Sequence, residues 1–153
     1  DVDLVEQIVN ISKDMTFVFI GKCSIHNKAV WSKPNVRMLG QKPYEQIPHY
    51  GKYFDAAIMP WRRNAWIENC NPIKLKEYLA LGKPVVSTPF AELRKYRDVI
   101  CIADNPVDFS AMLKKAISEN SEEQINTRRA KVQNCTWDNV AQLIYDAVYC
   151  QGM

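Results

Sequence analysis

The sequence predicts a doubly wound α/β domain: a mostly parallel sheet with helices on both faces. Three observations carry that expectation. Short apolar runs alternate with helical patterns as far as Pro106, the arrangement that gives a parallel sheet. Several of those runs are nearly continuous in apolar residues and closed by Gly or Pro, as strands buried on both faces are. Asn71 to Thr88 joins a helix, a glycine stop and a strand in one unbroken unit.

The elements follow in order. Leu4, Ile8 and Ile11, with Val5 and Val9 beside them, set a helical stripe over about Asp3 to Lys13. Met15 to Ile20, ending at Gly21, is a buried strand, and a polar loop runs on to Pro34. Val36 to Leu39 is a short strand closed by Gly40; Tyr44 to Tyr50 is a short helix entered through Pro43. Tyr53 to Met59 is a strand stopped by Pro60, and Trp61 to Cys70 is a long loop. Asn71 as N-cap and Pro72 at the first helical position open the next helix, which Gly82 ends. Pro84 to Thr88 and Val99 to Ile102 are the last strands. Beyond Pro106 the chain is helical over about Asp108 to Ser118, Glu122 to Gln133 and Trp137 to Tyr149. Ligands of such sheets bind outside the carboxyl ends of the strands. The loops after Ile20, Leu39, Met59 and Thr88, and the helix start at Asn71 and Pro72, are therefore the expected site edge.

Bulk composition narrows the function. At 153 residues, 47% hydrophobic and 24% charged, residues 1–153 fit a single domain with a substantial core. A net charge of +3, spread over residues such as Lys28, Lys74, Lys114 and Arg128, is too small and too scattered for a nucleic-acid partner. No apolar run is long enough to span a membrane, and no basic segment followed by an apolar stretch marks a secretory signal. The five cysteines are Cys23, Cys70, Cys101, Cys135 and Cys150. They form no Cys-x-x-Cys, and only His26 and His49 could join them, so no metal site is expected and reduced thiols of a cytoplasmic protein are. A start at Asp1-Val2-Asp3, with a helix as first element, suits a piece of something longer.

The Asn71–Thr88 unit places charge against the ordinary preference of a helix. Lys74 sits in the first turn, where the helix dipole disfavours a cation, and Glu77 shares its face one turn on. A lysine there suggests an anion at the helix start that is not part of the protein. The competing reading is an Asn cap with a solvated lysine, Glu77 being its exposed ion-pair partner.

An ordered set of segments resembles a known family. The set is Phe17-Val18-Phe19-Ile20-Gly21; Pro34-Asn35-Val36 with Leu39-Gly40; Lys42-Pro43-Tyr44 with Ile47-Pro48; Phe54 to Pro60; Asn71-Pro72-Ile73-Lys74 with Glu77-Tyr78-Leu79-Ala80; and Gly82 to Thr88. Arg128-Arg129-Ala130 and Thr136-Trp137 match the closing helices. Over nearly the whole chain it resembles the C-terminal, nucleotide-sugar-binding domain of GT-B glycosyltransferases of family 4, the glycosyltransferases group 1. Lys-x-x-Glu-Tyr-Leu-Ala-x-Gly-x-Pro-Val-Val is the most specific piece.

That resemblance implies a Rossmann-like fold and a UDP- or GDP-linked sugar as donor, with no other cofactor and no metal. It implies a role in polysaccharide biosynthesis, sugar transfer with retention of configuration, and an acceptor held by a missing N-terminal domain. Peripheral membrane association would come through the full-length enzyme, and the isolated domain would catalyse little. Glu77 matches the second of the family's two glutamates, the one that binds ribose; Asn69 stands where the first would fall. Asn71, Pro72, Ile73 and Lys74 would hold the diphosphate, and Gln41, Lys42 and Tyr44 would lie near the base. Tyr44 is equally readable as a core or cap aromatic. The family's domain begins with a central strand that is absent here, so an incomplete sheet or one paired with a partner is expected. Trp61, Arg62, Arg63, Asn64 and Trp66 form a basic, aromatic loop facing acceptor or sugar, or simply solvent. His26 and His49 are expected to be structural or exposed, and Arg128 and Arg129 to lie on a solvated helix face. Two alternatives stand beside the transferase: a sugar-nucleotide epimerase of the same fold, and a non-catalytic interaction domain.

Overall fold

The computed structural model describes residues 1–25 and 29–149; His26, Lys28 and Cys150 lie outside the described residues. Asp1 caps α1 (Val2–Ile11), its carboxylate accepting the Leu4 N–H at 3.1 Å. Val5, Ile8 and Val9 form the buried face of α1. Beyond it come β1 (Phe17–Ile20), β2 (Val36–Gly40), α2 (Ile47–Gly51) and β3 (Ala57–Met59). Then follow α3 (Ala65–Glu68), α4 (Ile73–Ala80), β4 (Val85–Ser87), β5 (Cys101–Ile102), α5 (Pro106–Ser118), α6 (Glu122–Val132) and α7 (Trp137–Tyr149). Short 3-10 turns lie at Ala29–Ser32, Tyr44–Gln46 and Ala91–Tyr96.

Every strand pairing among the described residues is parallel. β4 is the hub: Val85 and Val86 side chains leave it on opposite faces and enter two different cores. Val86 joins α1, β1, β2 and α5 through Ile8, Phe17, Val36 and Phe109. Val85 joins β3, α4 and the Ala91–Tyr96 turn through Met59, Leu75, Leu79 and Leu93. Helices thus cover both faces, the doubly wound arrangement expected.

The sheet is discontinuous, also as expected. β1 pairs with β2, and β3 with β4 and β4 with β5, but no pairing among the described residues joins β1 to β3. The Asp1 amine donates to the Pro60 carbonyl at 2.6 Å. The start of α1 therefore sits at the carboxyl end of β3.

Several expected boundaries are corrected. Met15 N–H turns back to the Ser12 carbonyl, so β1 starts only at Phe17. Tyr53 and Phe54 belong to the turn that ends α2, bonding to Tyr50 and Gly51. Val99 and Ile100 both donate to the Tyr96 carbonyl, which leaves Cys101–Ile102 alone as strand. The Trp61–Cys70 loop contains α3, capped by Asn64, whose side chain accepts the Ile67 N–H at 2.9 Å. Asn71 is not the N-cap of α4. Pro72, buried and extended (φ −76°, ψ 118°), takes that position without a side-chain bond, which moves the helix start to Ile73.

Arg128 is also corrected: it is buried, with 6% of its surface exposed. Its Nε donates to the Gly82 carbonyl at 2.9 Å, and its terminal NH2 group donates to Asn120. The end of α4 explains the close approach. Gly82 N–H donates to Leu79 and Lys83 N–H to Tyr78, at 2.9 and 3.0 Å, the reciprocal pair of a glycine helix stop. Gly82 has φ +74°, and a Cβ there would lie 2.6 Å from the Ile125 side chain. Glycine is needed both for the backbone and for the seating of α6.

Candidate nucleotide-binding site at the start of α4

Two contacts dock α2 on the end of α4. A Cβ on Gly51 would meet Leu81 at 2.6 Å, and the Lys83 ammonium donates to the Lys52 carbonyl at 2.7 Å. That docking carries the preceding Tyr44–Gln46 turn to the exposed face of α4. There the Tyr44 hydroxyl donates to Glu77 Oε1 at 2.9 Å, and Lys74 Nζ donates to Oε2 at 2.7 Å. Lys74 Nζ lies 6.0 Å from the centre of the Tyr44 ring. The bond to Glu77 raises the Tyr44 phenol and the Lys74 ammonium above their ordinary pKa values. Tyr44 is 66% exposed, so it is neither a core aromatic nor a helix cap.

The ion pair expected at Lys74 and Glu77 is therefore present, with side-chain exposures of 51% and 24%. Surface pairs of this kind contribute about 0–1 kcal/mol. One turn earlier, α4 begins without a side-chain cap and without an acid in its first turn. The first N–H groups of a helix have no intrahelical acceptor, and here no carboxylate offsets the positive end of the dipole.

Other expected residues lie apart from this trio. Gln41 lines a cleft of ≈ 430 Å³ with Gly21, Lys22, Trp31, Met38 and Gly40, at the carboxyl ends of β1 and β2. Trp31 is fixed there by its indole N–H to the Ile25 carbonyl at 2.6 Å and by edge contact with Phe19. Neither Trp31 nor Met38 is among the expected site residues; Met38 sits just before the strand-closing Gly40, whereas nothing local in the sequence marks Trp31. Lys42 is half-buried between the cleft and Tyr44. Asn69 turns its amide back onto α3, donating to the Ala65 carbonyl at 2.8 Å. Asn71 is exposed. A slightly larger cleft of ≈ 500 Å³ opens at the amino end of β4, between Ile102, Met112, Lys115 and Arg128. It lies at the wrong end of the strands for the site edge of this fold.

The basic loop is held mainly by its own protein. Arg62 lies 3.9 Å from Asp1 and 3.6 Å from Asp3, and Arg63 lies 3.5 Å from Glu68. Trp61 stacks on Phe90, while Trp66 is exposed. Thr88 Oγ1 accepts the Trp61 N–H at 3.0 Å and donates to its carbonyl at 2.8 Å, anchoring the loop to the end of β4. His49 is exposed at the end of α2. Among the described residues, no group of three or more His, Cys, Asp or Glu could hold a metal ion, and no helix is long and apolar enough to cross a membrane.

A parallel doubly wound sheet with an uncapped helix start and a Lys-x-x-Glu face is the geometry on which the family match falls. Residues 2–119 match the family described as "Glycosyl transferases group 1". The chain belongs to this family. It is also 27% identical over 140 residues to "Putative teichuronic acid biosynthesis glycosyltransferase TuaH" of Bacillus subtilis (strain 168). That match covers 86% of this chain and 35% of TuaH, so the chain spans about a third of that relative's length. Both strands of the cleft and the whole of α4 fall inside the region matched to the glycosyl transferases.

Proposed function

We propose that this chain is the donor-binding domain of a glycosyltransferase that uses a UDP- or GDP-linked sugar. The observation that carries the reading is the start of α4: free N–H groups at Ile73 and Lys74, no side-chain cap, and no first-turn acid. A diphosphate satisfies those groups and the dipole together, with Lys74 adding a charge-assisted bond. Glu77 accepts from the ribose hydroxyls. The base extends toward Gln41, Lys42 and the cleft walled by Trp31 and Met38. During transfer, the same N–H groups and Lys74 stabilise the charge that develops on the departing diphosphate. Configuration at the sugar is retained, and the donor is the sole cofactor-like group. Asn69, bound to its own helix, handles no donor sugar in the way a glutamate there would.

Calorimetric titration with UDP, UMP and uridine, and with the guanosine series, tests this reading. Affinity should rise with each phosphate; equal weak binding of nucleoside and diphosphate would remove the helix-start contact.

The rest of the transferase is an acceptor-binding domain in the cytoplasm, associated peripherally with a membrane through the full-length protein. One feature supports a further domain. α7 has no buried residue among its 13, and Trp137, Val140, Leu143, Ile144 and Val148 are exposed on it. A helix of that size is about 20 Å long and about 10 Å wide. Its footprint falls well short of the ~800 Å² per partner of a stable dimer, whereas a tethered domain needs far less contact. Ile144→Glu is expected to change the stability of this chain by no more than ~0.5 kcal/mol, while weakening its association with the remainder of the protein. Urea unfolding of the chain and thermal inactivation of the whole transferase measure the two effects.

A further inference from the structure

Resting on the reading of Glu77 as the ribose acceptor, we propose that Tyr44 is a positioning residue that makes Glu77 selective for a ribose diol over a deoxyribose. A glutamate side chain that keeps 24% of its surface exposed still has several rotamers open to it. Lys74 alone restrains it poorly: the lysine is long, half-exposed and on the same helix. Tyr44 comes from a different element, 33 residues away in sequence, and holds the other oxygen. The helix that follows its turn, α2, is docked on the end of α4 through Gly51, Leu81, Lys52 and Lys83. The two donors therefore clamp the two oxygens from opposite partners, Oε1 by Tyr44 and Oε2 by Lys74.

The remaining acceptor capacity follows from the chemistry of the carboxylate. Two oxygens offer about four lone-pair sites. One on each is taken, which leaves one on each. Two adjacent acceptors with fixed spacing match two vicinal hydroxyl donors, and a sugar that lacks one hydroxyl leaves an acceptor without its partner. With the clamp released, the carboxylate can turn to serve a single hydroxyl nearly as well as two. Tyr44 therefore contributes to selectivity without touching the sugar.

The test compares UDP with 2′-deoxy-UDP, or GDP with 2′-deoxy-GDP if that base is preferred, on wild type, Tyr44→Phe and Glu77→Ala. Tyr44→Phe is expected to weaken the ribonucleotide about three- to tenfold and to leave the deoxynucleotide unchanged, so that their ratio falls toward that of Glu77→Ala. Because Tyr44 is exposed, the melting temperature of Tyr44→Phe should match wild type. An unchanged ratio in Tyr44→Phe, or tighter ribonucleotide binding, would overturn the role of Tyr44 while leaving the nucleotide site standing. Wild-type chain that binds neither nucleotide, or Glu77→Ala that binds both as wild type does, would overturn the site and the clamp together.

Discussion

Glu77→Ala is expected to weaken binding of the preferred nucleoside diphosphate by about 10- to 100-fold, the loss of a charge-assisted hydrogen-bonding group. Stability should hardly move. The Glu77 side chain is partly buried, at 24% exposure, but its lysine partner is half in solvent, so Lys74 returns to water when Glu77 is removed. Leu75 and Leu79, on the opposite side of the helix, are fully buried and keep α4 in place. Paired calorimetry and thermal unfolding separate the two quantities. A large fall in melting temperature would mean that Glu77 is a structural residue of α4 rather than a ligand-binding one. Unchanged affinity with unchanged stability would mean that the Lys74–Glu77 pair is only a surface ion pair.

Phe109→Ala carries the largest expected cost in stability, about 3–5 kcal/mol. Phe109 is completely buried on α5 and belongs to the core that joins α1, β1, β2 and β4. That core spans the interruption between the two sheets, where no strand pairing among the described residues holds β1 against β3. With one ladder missing, side-chain packing and the α1–α5 contact carry the join. The buried hydrogen bond between Ser12 and Ser110, 2.6 Å long, and the bonds from the Asn35 amide to Val9 and Ser12 reinforce it. For a domain of ordinary stability, about 5–15 kcal/mol, the substitution removes a large share. Urea denaturation should show a midpoint shift of that size. A loss under about 1 kcal/mol would show that the two sheets are held together by something other than this core.

How much was legible in the sequence depended on how local each cause was. α1, α5 and α7 were legible because apolar spacing and nearby polar residues specify a helix within a few positions. The glycine stop at Gly82 was legible for the same reason. Strand ends were less so: Val99 and Ile100 have strand-like side chains, yet both backbones close a turn on Tyr96. Asn64 offered a helix start that a loop reading passed over. The burial of Arg128 is not local: its partner, the Gly82 carbonyl, lies 46 residues away, and a sequence shows the charge but not the pocket it fills. The site divides in the same way. Lys74 and Glu77 are one turn apart and were visible together, whereas Tyr44 reaches Glu77 only through the docking of α2 on α4. The cleft at Gln41 and Trp31 needs β1 and β2 side by side before it exists. The doubly wound class itself was secure because it depends on the alternation of elements rather than on any single boundary.

Amide chemical-shift mapping during titration with UDP and GDP tests the assignment of the α4 start most directly. Saturable shifts are expected at the Ile73 and Lys74 amides, with smaller ones at Glu77 and at Gln41 and Lys42. Saturable binding that leaves Ile73 and Lys74 unmoved, and instead shifts Cys101, Lys115 and Arg128 around the cleft at the amino end of β4, would contradict it.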